Sequence, residues 1–381
     1  MSPVLVSVHD YREAARQFLP AFAWGYLEGG AEDQLTLGHN RQAYQQLRFD
    51  PRVMVDVEQV HTGAMVAGRA LAWPAVVGPT GLNGLFRHDA DVLLARQAHR
   101  AGLPFVLSTA STSLIEAVRS ATQGDLWLQL YVQRDRRIAE DMMRRAWACG
   151  YSTLLLTVDT PVTGQRDHYR KTGFTLPIRW TPRLLWDVLT HPRWLAMVGR
   201  HGVPQLVNLA RSAGLEGSGI AAQASALGRE MDTTLAWADL DWIHRHWPGR
   251  VLVKGIQRVE DAELAVRHGA HGVVLSNHGG RQLDGAPSAI EILSQTRDRL
   301  PVHANILVDG GIRRGSDVVK AIALGADAVL LGRAPLYGLA AAGERGCGEV
   351  LAQLRQELET CLRLLGCPDV RALDRSWLCA D

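Results

Sequence analysis

Cysteine is scarce. Cys149, Cys347, Cys361, Cys367 and Cys379 are the only five in 381 residues, their number is odd, and no two stand in a CxxC spacing. That argues against a disulfide framework and a cysteine-based zinc site, and fits a reducing compartment. An excess of one charge is also missing: 41 basic residues face 39 acidic ones, and a net charge of +2 argues against general nucleic-acid binding. Lysine occurs only at Lys171, Lys254 and Lys320, so the basic residues are mostly arginine. No uncharged apolar stretch reaches the ~18–20 residues of a membrane span. Met1–Asp10 lacks the basic and apolar regions of a secretory signal, so a cytoplasmic location is expected, with contact to a membrane surface left open. No G-x-G-x-x-G follows the first apolar run, which disfavours a nicotinamide-binding sheet.

What is present is a regular alternation. Short apolar runs at 75–77, 105–107, 126–128, 154–156, 251–253, 272–275, 306–308 and 328–331 are separated by helical patterns such as 90–100, 136–148, 260–268 and 316–324. Eight strands alternating with helices predict an α/β fold, a (β/α)8 barrel, with a doubly wound sheet as the competing architecture. The polar residues decide between them. Each run ends in chemically useful groups: Pro79-Thr80-Gly81, Ser108-Thr109, Gln129 and Tyr131, Thr157 and Asp159, Lys254, Ser276 and His278, Asp309-Gly310-Gly311, and Gly332-Arg333. In a barrel those strand ends ring one pocket. An N-terminal helix capped by Asp10 runs from Tyr11 to Leu19 ahead of the barrel, a helical pattern recurs over 231–243, and a packing helix over 348–365 follows it.

The densest chemistry lies in Ser276-Asn277-His278-Gly279-Gly280-Arg281-Gln282-Leu283-Asp284-Gly285. His278 can exchange a proton near neutral pH, and Arg281 offers a permanent planar charge suited to a carboxylate. The glycines between them let a flat ligand approach the backbone. Further on, Asp309-Gly310-Gly311-Ile312-Arg313, a helix start after it, and Gly332-Arg333 have the parts of a phosphate cradle.

The decapeptide resembles the signature of the FMN-dependent 2-hydroxy-acid oxidase and dehydrogenase family, and the likeness extends from about Tyr11 to Leu378. The resemblance implies an FMN cofactor, with its phosphate on Arg313 and Arg333 beside Asp309, Gly310, Gly311 and Gly332. It implies that Pro79, Thr80 and Gly81 lie near the reactive nitrogen, and that Ser108, Gln129 and Thr157 meet the ring's polar edge. Lys254, with Ser276 beyond it, would set a cation where negative charge develops on reduction. For the substrate it implies Tyr26, Tyr131, Arg166, His278 and Arg281: two guanidiniums to clamp a carboxylate, tyrosines for carboxylate and hydroxyl, and His278 as base oriented by Asp159. No metal is expected.

The family pattern is not kept throughout. Where many relatives carry R-E-x-D-x-x-N-R-F, this chain runs from Arg166 to Phe174 with Tyr169 in place of the second acid and Thr172-Gly173 in place of Asn-Arg. Gly81 resembles the mandelate-type branch, and Ala110 is small where glycolate oxidase has a bulky aromatic, which points to an aromatic, mandelate-like (S)-2-hydroxy acid oxidised to its 2-oxo acid. An L-lactate dehydrogenase and a soluble oxidase using oxygen are the alternatives. The chain is expected to be one domain over 1–381, with 174–228 inserted after the fourth strand. Over 176–198 tryptophans stand beside arginines, which fits an interfacial membrane segment at the inner face of the cell membrane, with a lid or subunit contact as the other reading. The family further implies a quinone acceptor and a homotetramer.

Overall fold

The apolar runs become strands because each is rich in Leu, Val or Ile and buried on both faces, the signature of a parallel sheet covered by helices. The computed structural model describes residues 4–174, 181–220, 222–223 and 230–379. Its eight parallel strands are β1 (Ala75–Val77), β2 (Phe105–Ser108), β3 (Leu126–Leu130), β4 (Thr153–Thr157), β5 (Arg250–Ile256), β6 (Gly272–Leu275), β7 (Asn305–Asp309) and β8 (Ala328–Leu331). They pair in chain order, and β8 closes on β1: a (β/α)8 barrel. The doubly wound alternative is excluded by that closure.

Alternation along each strand divides the core in two. Val76, Val106, Trp127, Leu155, Leu252, Val274, Leu307 and Leu330, one from each strand, fill the barrel interior together with Val66, Ala67 and Leu71. The last three belong to a hairpin of strands Ala64–Val66 and Arg69–Leu71, which plugs the barrel at the N-terminal ends of its strands. The other face of each strand packs on the surrounding helices. With the lower end filled by side chains, the upper end is left for chemistry.

Three elements depart from expectation. The first helix spans Val8–Phe18, a turn earlier than predicted, because Ser7 rather than Asp10 is its N-cap: the Ser7 hydroxyl accepts the Asp10 N–H at 3.2 Å and donates to the Asp10 carboxylate at 2.8 Å. Of the pattern over 231–243, only Asp239 onward is helical, in Asp239–His246. There Asp232 captures the N–H and hydroxyl of Thr234 and pairs with Arg136, a local turn that competes with the helix. The last helix begins as early as Arg333, runs to Leu365, and is interrupted at Ala342 and Gly343.

Between β4 and β5 the helix Asp167–Thr172 precedes the insertion, whose described part forms helices Pro182–Leu189, Pro192–His201 and Val207–Ser212. Residues 175–180, including Trp180 of the expected membrane segment, lie outside the described residues, as do 221 and 224–229 of the later insertion. The described helices are two-faced. Leu184, Val188 and Trp194 are buried, with Trp194 edge-on to Phe22 at 5.4 Å and donating to the Leu85 carbonyl at 2.8 Å. Leu185, Trp186, Leu189 and Leu195 face outward, Trp186 being 71% exposed. Among the described residues no helix is long and apolar enough to cross a membrane.

Candidate active site

Register sets the floor of the site. Ser108 on β2 pairs with Gln129 on β3, and Thr157 on β4 with Lys254 on β5, so these four side chains leave their strands at matching heights. They are hydrogen-bonded in a row: Ser108 Oγ donates to Gln129 Oε1 at 2.8 Å, and Gln129 Nε2 to Thr157 Oγ1 at 3.0 Å. Lys254 Nζ lies 3.0 Å from Asp309 Oδ2 and donates to Ser276 Oγ at 2.8 Å. Burial works against its charge, but Asp309 and Asp159 outweigh that and hold Lys254 as an ammonium.

Above this floor opens a cavity of about 440 Å³. Of the residues given a cofactor, substrate or catalytic role from the sequence, Asp159 and Ser276 do not line it, and the others, from Tyr26 to Arg333, do. His278 has a left-handed backbone, with φ 59°, that turns its ring inward. Its Nδ1 faces both Asp159 oxygens, at 3.0 and 3.2 Å, and its Nε2 lies 3.2 Å from the Tyr131 hydroxyl. Burial lowers the imidazole pKa, with Asp159 opposing and Lys254 and Arg166 reinforcing the shift. For Asp159, burial is outweighed by His278, through the charge its ring carries when protonated and through its hydrogen bond, and by the Lys254 charge, so its carboxyl is held below the usual range. The pair therefore rests as carboxylate and neutral imidazole, with Nδ1–H donated to Asp159 and the Nε2 lone pair, which accepts the Tyr131 hydroxyl hydrogen, as the proton acceptor.

Opposite the imidazole stand the arginines. Arg166 donates from Nε to the Arg281 carbonyl at 3.2 Å and from Nη2 to Gln282 Oε1 at 3.3 Å. Arg281 donates from Nη1 to the carbonyls of Tyr26 and Gly29, at 2.9 and 3.0 Å, which ties it to the helix Ala21–Glu28. Leu82, Phe86, Ala110, Val162, Phe174 and Met231 add an apolar wall.

Beside this clamp, among the described residues, neither Arg313 nor Arg333 forms an ion pair. Arg333 donates to the carbonyls of Leu27, Gly279 and Gly29, at 3.1, 3.0 and 3.1 Å, and burial, then the neighbouring Arg281, pulls its pKa down to about 10. Arg313 lies beside Tyr337, whose hydroxyl donates to Glu28 at 2.6 Å. Gly310 and Gly311 both have positive φ, and a Cβ on Gly311 would sit 2.0 Å from the Asn40 carbonyl oxygen. Among the described residues the buried Asp309 Oδ1 has no hydrogen-bond partner, and as a carboxylate acceptor it suits a hydroxyl.

Sequence reasoning passed over several supporting residues. Gln282 holds Arg166 and donates to the carbonyls of Asp159 and Val162, both at 2.9 Å. Asn40 and Asn277 exchange two hydrogen bonds under the glycine turn, at 2.9 and 2.8 Å. Glu28 carries the negative charge behind Arg313 and Arg333. For Gln282 the position inside the decapeptide was the available signal; Asn40 and Glu28 carried none.

A site that offers cationic residues to a phosphate, two guanidiniums to an acid, and a proton acceptor in the same cavity defines an α/β-barrel oxidoreductase that works on acids with a phosphate-bearing cofactor. Comparison with known proteins makes the class specific. Residues 15–380 match the FMN-dependent dehydrogenase model, and the chain belongs to that family. It is 46% identical to the (S)-mandelate dehydrogenase of Pseudomonas putida over 99% of this chain and 95% of that one. It is 38% identical to the L-lactate dehydrogenase of Acinetobacter baylyi, over 98% and 97% of the respective chains. The crystal structure of the monotopic membrane protein (S)-mandelate dehydrogenase superposes with a TM-score of 0.95 at 45% identity, covering all of both chains. The chain is thus an oxidoreductase of the CH–OH class that uses FMN and oxidises 2-hydroxy acids. The residues present fit that cofactor: the surplus arginines suit its phosphate, the unpartnered Asp309 oxygen a ribityl hydroxyl, and the Ser108–Gln129–Thr157 row the polar edge of a ring.

Proposed function

We propose that this chain oxidises an (S)-2-hydroxy acid with an aromatic, mandelate-like side chain to the 2-oxo acid, with His278 as the base. The observation that carries this reading is the imidazole, fixed by Asp159, that lines one cavity together with two guanidiniums and an apolar wall. Arg166 and Arg281 receive the carboxylate, assisted by Tyr26 and Tyr131. Burial, then the Asp159 charge, raises the Tyr131 pKa, so its phenol stays protonated as a donor to the substrate. His278 Nε2 takes the substrate's proton, and Asp159 stabilises the imidazolium that forms. FMN supplies the acceptor for the electron pair. Pro79, Thr80, Gly81, Ser108, Gln129, Thr157, Lys254, Ser276, Asp309, Gly310, Gly311, Arg313, Gly332 and Arg333 hold it, with Lys254 favouring negative charge on the reduced ring. Gly81 leaves room for a large substituent: a Cβ there would lie 3.0 Å from Ala110 Cβ and 3.5 Å from the Tyr26 hydroxyl.

The outward side chains Leu185, Trp186 and Leu189, with Arg183 and Arg193 nearby, support peripheral contact with the inner face of the cell membrane through the 174–228 insertion of a single barrel domain. A quinone in that membrane is the electron acceptor of this reading, and a homotetramer its assembly. The test is anaerobic bleaching of the flavin by (S)-mandelate, (S)-lactate and glycolate in parallel, then admission of air or a quinone analogue. Fast bleaching by mandelate with reoxidation by quinone rather than air is expected. Preference for lactate, or rapid reoxidation by air, overturns the substrate or the acceptor respectively.

A further inference from the structure

The proposed chemistry leaves Tyr169 unused, although its ring lines the cavity. It lies in the helix Asp167–Thr172, directly after Arg166, where the family pattern has an acid. That helix docks on Ala21–Glu28 so closely that a Cβ on Gly25 would fall 2.2 Å from Thr172 Oγ1. Tyr169 is thereby brought against Tyr26, with ring centroids 5.6 Å apart, and against Phe174 at 5.0 Å.

Its hydroxyl oxygen accepts from both arginines of the clamp: from Arg166 Nη1 at 3.2 Å and from Arg281 Nη2. The two guanidiniums also lie over its ring, 5.3 and 5.7 Å from the centroid. Among the described residues neither guanidinium forms an ion pair; their other partners are the carbonyls of Tyr26, Gly29 and Arg281 and the Gln282 amide. A carboxylate at this position would cancel one of the two positive charges and compete with any incoming anion. Phenols are uncharged near neutral pH, so a tyrosine can bridge the arginines and leave their charge for a ligand. A hydroxyl that accepts on its lone pairs also keeps a proton to donate.

We propose that Tyr169 is a substrate-binding residue: it holds the two guanidiniums together through one neutral oxygen and donates its hydroxyl hydrogen to the substrate's carboxylate, which sharpens selection for anionic acids. The proposal rests on the reading that Arg166 and Arg281 receive that carboxylate. Titration of the FMN-loaded protein with phenylacetate and with phenylacetamide, followed by flavin absorbance, tests it. In Tyr169→Phe the phenylacetate dissociation constant rises roughly tenfold, the KM for mandelate rises with it, kcat holds, and phenylacetamide binds as before. In Tyr169→Asp phenylacetate weakens further still, because an acid now occupies the clamp. Unchanged phenylacetate binding in Tyr169→Phe, equal weakening of both ligands, or Tyr169→Asp binding phenylacetate as tightly as Tyr169→Phe would each overturn the proposal. Arg281→Met separates it from its premise: if that change leaves phenylacetate binding intact, the carboxylate clamp itself is wrong.

Discussion

At the scale of single residues, the site works by keeping charges in unequal company. His278 is buried with one carboxylate and two cations, so its pKa falls below the ordinary value of 6.5 and the proton acceptor stays unprotonated at neutral pH. The sign of the pH dependence follows. As pH drops through that lowered value the imidazole takes up a proton from solvent, and kcat/KM falls on the acid side with its midpoint below pH 6.5. A profile of kcat/KM against pH measures it. His278→Ala should slow flavin reduction by roughly 10²–10⁴-fold or more while FMN absorbance is retained. Lys254 has the complementary part, a buried cation paired with Asp309. Lys254→Met removes positive charge from beside the ring, so the flavin midpoint potential should become more negative, as read by redox titration; a potential unchanged or raised would refute that placement.

At the scale of elements, the strands position the acid–base pair through a fault in their register. The β5–β6 pairing shifts between Lys254 and Ile256, around Gly255 at φ 104°. A Cβ there would lie 2.7 Å from both Cβ and Cγ of Asp159. Gly255→Ala should therefore push Asp159 away from His278, lowering the rate of flavin reduction, and cost about 1–3 kcal/mol in backbone strain, visible as a lower thermal midpoint. The strands themselves were legible in the sequence because parallel-sheet burial demands uninterrupted apolar runs, and their ends because every run stops at a polar group. The helix starting at Ser7 and the turn at Asp232 were misread where side chain competes with backbone for hydrogen bonds, which periodicity does not register. Asn40 and Glu28 were invisible for another reason: each supports residues more than two hundred positions away, Asn277 in one case and Arg313, Arg333 and Tyr337 in the other. Tyr169 was visible only as a departure from the family pattern, and its partners appear only when the two helices dock.

At the scale of the molecule, the insertion turns one apolar face inward and another outward. Because Trp194 is packed on Phe22, a deletion that removed it would open the core, whereas Trp186 and Leu189 can be changed at the surface. Trp186→Glu with Leu189→Glu should abolish co-sedimentation with anionic lipid vesicles while activity with a soluble dye acceptor persists. Continued sedimentation would favour a lid or subunit contact instead.

The plug formed by the Ala64–Leu71 hairpin also governs traffic. With the lower end of the barrel stoppered by Val66, Ala67 and Leu71, hydroxy acid and electron acceptor approach from the same upper face. Two visitors sharing one doorway should take turns: with the oxo acid leaving before the acceptor enters, initial-rate plots at several acceptor concentrations are expected to run parallel, and converging plots would refute the ordering.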